Sequence, residues 1–186
     1  MVAVVGLTSA RSDNAPANAP LHIGNQLQLF ADDYLIESRD GAEFKLQTPQ
    51  PAGKAIAFDK PWEGNVSAYV SVFHDGDKYR MYYRGASAPS YARKSALKPG
   101  ETLLPEHPNF TCYAESRDGI VWTKPSLGIT EFDGSRDNNI ILTGEASENF
   151  GPFLDGNPNA PASERYKAVG GGSKGLMAFK SADGIH

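Results

Sequence analysis

Tyr69-Val-Ser-Val-Phe-His-Asp-Gly-Asp-Lys-Tyr-Arg-Met-Tyr-Tyr-Arg84 is the stretch on which the fold turns. Apolar residues alternate with polar ones on both sides of Asp75-Gly76, the period of strands that bury one face. Asp-Gly supplies the positive-φ positions of a tight turn between paired strands. The stretch therefore predicts a β-hairpin with Val70, Val72, Tyr79, Met81 and Tyr83 on one buried face. Downstream, Phe110 to Glu115 alternates again, turns at Asp118-Gly119 and continues as Ile120-Val-Trp122, which makes four consecutive antiparallel strands. Further Asp-Gly pairs begin at Asp40, Asp133, Asp155 and Asp183, each a hairpin candidate. Between the second and third strands, Ala86 to Asn109 holds four prolines and no sustained apolar period, so it reads as a surface loop with one helical turn at Tyr91 to Leu97.

Two signatures recur in the same order. Ser116-Arg-Asp-Gly-Ile120 returns as Ser181-Ala-Asp-Gly-Ile185, and each copy follows a strand. Phe73-His-Asp-Gly76 with Lys78-Tyr-Arg80 returns as Phe153-Leu-Asp-Gly156 with Arg165-Tyr-Lys167, the second copy having a longer turn from Asn157 to Glu164. A four-stranded antiparallel unit repeated at this spacing is what a β-propeller blade requires, whereas solenoid repeats are shorter. The second copy reaches His186 one position before the residue that would align with Trp122. Two blades do not close a ring, so the expectation is an N-terminal fragment of roughly two blades, truncated at its C-terminus.

Composition agrees with an all-β chain. Nineteen Gly and thirteen Pro among 186 residues suit turns and disfavour helices. Eighteen Lys and Arg against 22 Asp and Glu give a formal charge of −4 with no basic block, which argues against nucleic acid or an anionic membrane as the main partner. No run of 18 apolar residues is present, so no membrane span is expected. The single cysteine, Cys112, excludes an intrachain disulfide and reads as a small buried residue within a strand. The four histidines lack metal spacing, Asp133 to Asn139 misses the calcium-loop spacing, and Gly170 to Gly175 does not open a helix as a phosphate loop would. No metal and no cofactor are expected. Residues 1–20 begin apolar and become small and polar, which fits either a disordered tail or the remnant of an export signal. Export to the periplasm or the exterior stays open on this reading, and residues 21–186 form the ordered region.

Leu29-Phe-Ala-Asp-Asp-Tyr-Leu-Ile36, Asp59-Lys-Pro-Trp-Glu63, Lys78 to Tyr83, Cys112 to Trp122 and Arg136-Asp-Asn-Asn-Ile140 resemble the N-terminal half of bacterial proteins related to glycoside hydrolase families 32 and 43. Asn149-Phe-Gly-Pro-Phe-Leu-Asp-Gly-Asn-Pro158 with Glu164 to Ala168 carries the same resemblance, which spans Leu27 to His186. It implies a five-bladed β-propeller whose innermost strands bring acidic residues to an axial pocket that cleaves glycosidic bonds; since an open blade edge invites pairing with another chain, the full-length protein is expected to be the monomer. The resemblance also implies that the general acid lies on a third blade, beyond His186.

Cleavage of a glycosidic bond needs two carboxyl groups flanking it, one ionised and one protonated. The resembled pattern places an Asp on the innermost strand, six positions before the turn, but Tyr69 and Asn149 occupy those positions here. The nearest carboxylates are Glu63, Glu148 and Asp155, which become the catalytic candidates; Asp155 is equally a turn residue. As a catalytic group, Glu63 predicts that Glu63→Gln lowers turnover and spares stability. Trp62, Tyr69 and Asn149 are candidate sugar contacts, since aromatic faces stack on sugar C–H surfaces and an amide both donates to and accepts from hydroxyls. Asp33, beside Asp32 ahead of an opening strand at Tyr34-Leu-Ile36, is a further candidate. Two functions remain open: a glycoside hydrolase-like protein acting on a polysaccharide or oligosaccharide, and a non-catalytic carbohydrate-binding propeller.

Overall fold

A computed structural model describes residues 20–88, 106–173 and 175–186. The helical turn expected at Tyr91 to Leu97, and the tail before Pro20, lie outside the described residues. The chain divides into two compact units, Met1–Pro51 and Ala52–His186. The described residues of the first unit form turns and bends and no strand. The opening strand expected at Tyr34 to Ile36 does not form, because the preceding aspartates engage the local backbone. The Tyr34 N–H donates to Asp32 Oδ1 at 3.0 Å and the Ile36 N–H to the Asp33 carbonyl at 2.9 Å. Asp33 also pairs with Arg39 at 3.0 Å.

The second unit is all-β, with two antiparallel sheets. The first runs in the order β1 (Ala68–Asp75), β2 (Lys78–Ser87), β3 (His107–Ser116), β4 (Ile140–Thr143). The second is β5 (Gly151–Leu154), β6 (Tyr166–Gly172), β7 (Gly175–Ser181). The expected β1–β2 hairpin is present, its turn displaced by one residue. Asp75 pairs with Lys78, leaving Gly76-Asp77 as the two-residue loop. Only Gly76 has positive φ (67°), the pattern of a type II′ turn. The type I′ pattern occurs instead at Asp133 and Gly134 (φ 51° and 75°), which close the Phe132–Ser135 bridge.

The fourth strand is not Ile120-Val-Trp122. Asp118 Oδ1 accepts from the N–H groups of both Ile120 and Val121 at 2.8 Å, so these amides are taken by the turn and cannot join a ladder. Thr123 alone bridges Glu115, and the strand that pairs with β3 is Ile140–Thr143. The turn recurs after β7, where Asp183 Oδ1 accepts from the Ile185 and His186 amides and Ser181 Oγ accepts from the Gly184 N–H at 2.9 Å. Ser116 Oγ accepts from the Gly119 N–H at the same distance and donates to Asp118 Oδ1. The surrounding registers correspond: Tyr79 faces Ser116 as Tyr166 faces Ser181, and Phe73 faces Arg80 as Phe153 faces Lys167. Because buried Ser116 ties three groups together, Ser116→Ala is expected to cost about 1–2 kcal/mol. Urea unfolding of the variant checks this; a loss below the measurement error would show the turn to be held by Asp118 alone.

One face of β2–β3 holds the core: Met81, Tyr83, Phe110, Cys112 and Ala114, with Ile140 from β4. Ile56, Phe58, Trp62, Trp122 and Phe132 cover it from the flanking segments, with the Phe58 ring stacked on Tyr83 at 4.3 Å. Val72, opposite Met81, shares this face by register, yet Val70 and Val72 are about half exposed. The buried face expected across the hairpin thus stops at β2, since β1 is the edge strand and the covering segments lie over β2 and β3. Two close backbone approaches hold the segment Trp62–Val66 against β2. At Gly64 (φ +65°) a Cβ would overlap the Ala86 carbonyl, and at Gly85 one would lie 2.5 Å from the Trp62 carbonyl oxygen.

The opposite face of the first sheet meets the second sheet through polar groups. Arg80 Nε donates to Asp75 Oδ2 at 2.6 Å, and the Tyr166 hydroxyl donates to the same oxygen at 2.6 Å. Arg165 reaches Asp75 Oδ1 at 2.9 Å. Arg80 also donates to the Asp183 carbonyl, and the Tyr82 hydroxyl to that of Gly184. Asp75, read from the sequence as a turn marker, is a buried junction between the sheets.

Candidate functional site

Glu63 is brought inside by a tight turn, its N–H donating to the Lys60 carbonyl at 2.9 Å. Its side chain is fully buried, and both carboxylate oxygens are occupied. Oε2 accepts from the Lys60 N–H and from Lys124 Nζ, each at 2.8 Å. Oε1 accepts from the Tyr83 hydroxyl at 2.5 Å. The Tyr83 oxygen accepts in turn from Asn139 Nδ2, and Asn139 Oδ1 accepts from Trp62 Nε1 at 2.6 Å. Trp62 and Glu63 are therefore brought into one network, closed by Asn139 and Lys124. Burial, followed by Cys112 and the Glu63 carboxylate, pushes the Tyr83 hydroxyl well above its ordinary range, so it stays protonated and donating. This arrangement fixes charges in place and leaves Glu63 without a surface exposed to a ligand.

Asp155 stands just after β5. It accepts from Lys167 Nζ at 2.6 Å and from the Asn157 N–H at 2.9 Å, and these contacts, Lys167 foremost, hold its carboxyl below the ordinary range. Its register position corresponds to that of Asp75, with Lys167 in place of Arg80. Glu148 caps the short 3-10 turn Glu145–Ser147 and, like Asn149, is exposed immediately ahead of β5. Asp33 belongs to the first unit and pairs with Arg39. The three catalytic candidates are thus a sealed ion pair, a turn residue paired with lysine, and an exposed carboxylate. No metal-ligating cluster of three or more His, Cys, Asp or Glu occurs among the described residues.

Tyr69 has a distinctive position. It lies at the bulge between Ala68 and Ser71, with φ at +53°, a left-handed conformation unfavourable for a bulky residue. Its ring is half exposed, with the Arg84 guanidinium carbon 4.7 Å from its centroid. Arg84 Nε is buried and has no hydrogen-bond partner among the described residues. The same holds for Oγ1 of Thr111, which lies directly across from Arg84 in the β2–β3 register. Directly opposed residues put their side chains on one face of a sheet. Neither Arg84 nor Thr111 was singled out by sequence; the available cue was a second arginine on the polar face of β2, four residues after Arg80.

Between the two sheets lies a groove of about 220 Å³, lined by Tyr82, Ile141, Leu142, Phe150, Phe179 and Ile185 among others, with no carboxylate. Comparison with family models, with curated proteins and with solved structures yields no match to this chain.

Proposed function

We propose that the two sheets are successive blades of a β-propeller of the type found in glycoside hydrolase families 32 and 43, and that the chain binds carbohydrate at the end of the scaffold where β1 begins. Support for the blade reading comes from the matched registers and the duplicated Ser-x-Asp-Gly turns. The observation that carries the binding reading is Tyr69. Left-handed backbone at a bulky residue is costly and tends to persist where a site needs it. Here it sets an aromatic face toward solvent, backed by a guanidinium, an arrangement suited to stacking on a sugar ring. Binding is favoured over cleavage because Glu63 and Asp155 both have their charges matched within the fold.

Calorimetric titration with a panel of neutral and acidic oligosaccharides tests this reading. Tyr69→Ala is expected to weaken binding about tenfold while leaving the unfolding transition cooperative. Equal affinity in the variant and the parent would remove Tyr69 from the site. Hydrolysis is the second reading, and the exposed carboxylate of Glu148 beside Asn149 favours it. In that case Glu148→Gln abolishes release of reducing sugar from a cleaved member of the panel, whereas unchanged turnover excludes Glu148.

A further inference from the structure

Arg80 and Arg84 stand on the same face of β2, and the structure treats them oppositely. Arg80 is bonded to Asp75, to Tyr166 and to the Asp183 carbonyl. Arg84 is half-buried, and its buried Nε has no hydrogen-bond partner among the described residues. A guanidinium presents five N–H donors in a planar fork, and burying some of them unpaired is unfavourable unless an acceptor arrives from outside. Thr111 supplies a second, independent sign. Its side chain is 1% exposed, yet its hydroxyl has no partner among the described residues while it faces the same side of the sheet as Arg84. Tyr69 then covers one side of the guanidinium with its ring.

We propose that Arg84, Thr111 and Tyr69 form a subsite for the anionic group of an acidic sugar, a carboxylate or a sulfate ester. The oxyanion takes the outer end of the guanidinium on the side of the Thr111 hydroxyl, and the Tyr69 ring holds the guanidinium plane in place from one side. Planar oxyanions match arginine in a two-pronged geometry that lysine does not reproduce. This inference rests on the carbohydrate reading above and adds the class of sugar to it.

The test titrates the chain with a galacturonate trisaccharide, a sulfated galactose oligosaccharide and a neutral galactose oligosaccharide, with inorganic sulfate in a separate thermal-shift series. One or both acidic ligands are expected to bind at least tenfold more tightly than the neutral one, the better of them identifying the group recognised. Arg84→Met removes that preference, bringing the acidic and neutral affinities together. Arg84→Lys keeps the charge and the fold and still loses most of the preference, while Thr111→Val reduces it about threefold. Equal affinity for acidic and neutral ligands in the parent chain, or a preference that survives Arg84→Met, overturns the subsite and spares the carbohydrate reading. If no saccharide binds, the carbohydrate reading fails and the acidic-sugar subsite falls with it. A sulfate-induced rise in the unfolding midpoint that disappears in Arg84→Lys would then show an anion site of another kind. Unfolding midpoints of all three variants without ligand separate misfolding from loss of recognition.

Discussion

Asp75→Ala is expected to destabilise the protein by about 3–5 kcal/mol. The substitution leaves the Arg80 guanidinium, only 8% exposed, without its carboxylate, and a buried charge stripped of its partner costs in this range. It also removes the acceptor for the Tyr166 hydroxyl and for Arg165, both from the second sheet, so the change acts on both sheets at once. The same contacts set a pH dependence. Burial by itself would raise the Asp75 carboxyl, but the Tyr166 hydroxyl and Arg80, with Arg165 behind them, outweigh it and the net shift is downward. A carboxyl held below its unfolded value contributes stability that is complete above the ordinary carboxylate range, about pH 4, and is lost as the pH falls through the folded value. The parent chain is therefore expected to weaken in acid more steeply than Asp75→Ala. Urea unfolding at pH 7 and pH 3 checks both statements, and parallel pH profiles for the two proteins would dissociate Asp75 from acid sensitivity.

Glu63→Gln should cost about 3 kcal/mol. Lys124 is 12% exposed and meets the fully buried Glu63 carboxylate at 2.7 Å, so the neutral amide leaves an ammonium group short of its main counter-charge. The sequence-based expectation of nearly unchanged stability placed this carboxylate in a central pocket and rested on the preserved volume; its full burial against Lys124 makes the lost charge count instead. Because the penalty comes from the stranded charge, Glu63→Gln combined with Lys124→Met should recover most of the loss, the non-additivity expected of two groups in contact. Midpoints for the two single variants and the double variant decide the matter. A Glu63→Gln protein within about 0.5 kcal/mol of the parent would mean that the Tyr83 and Lys60 contacts suffice without the ion pair.

The all-β class and the strands around Asp75-Gly76 were legible because period-two alternation and Asp-Gly are local features. The fourth strand was not, because Ile120-Val-Trp122 has strand composition but loses its amides to Asp118, a competition that hydropathy does not register. Val70 and Val72 have apolar side chains on an edge strand, and edge position depends on which segments cover the sheet rather than on the residues themselves. Trp62, Glu63 and Asn139 meet across 77 positions of sequence, so the closure of their network emerges only in three dimensions. Tyr69 was singled out because it stands where the resembled pattern has an aspartate. Arg84 passed unnoticed because a charged residue on the polar face of a strand is ordinary until its lack of a partner is visible.

The crossing of Gly64 and Gly85 bears on descent. Side chains at a binding surface can be exchanged as ligands change, and a buried ion pair can be replaced by apolar residues of similar volume. Neither glycine has such freedom. A methyl group at Gly64 would run into the Ala86 carbonyl, and one at Gly85 would press on that of Trp62, so any substitution must first push the crossing backbones apart. In lineages that have drifted far in sequence, these two glycines, 21 positions apart, should be among the slowest positions to change.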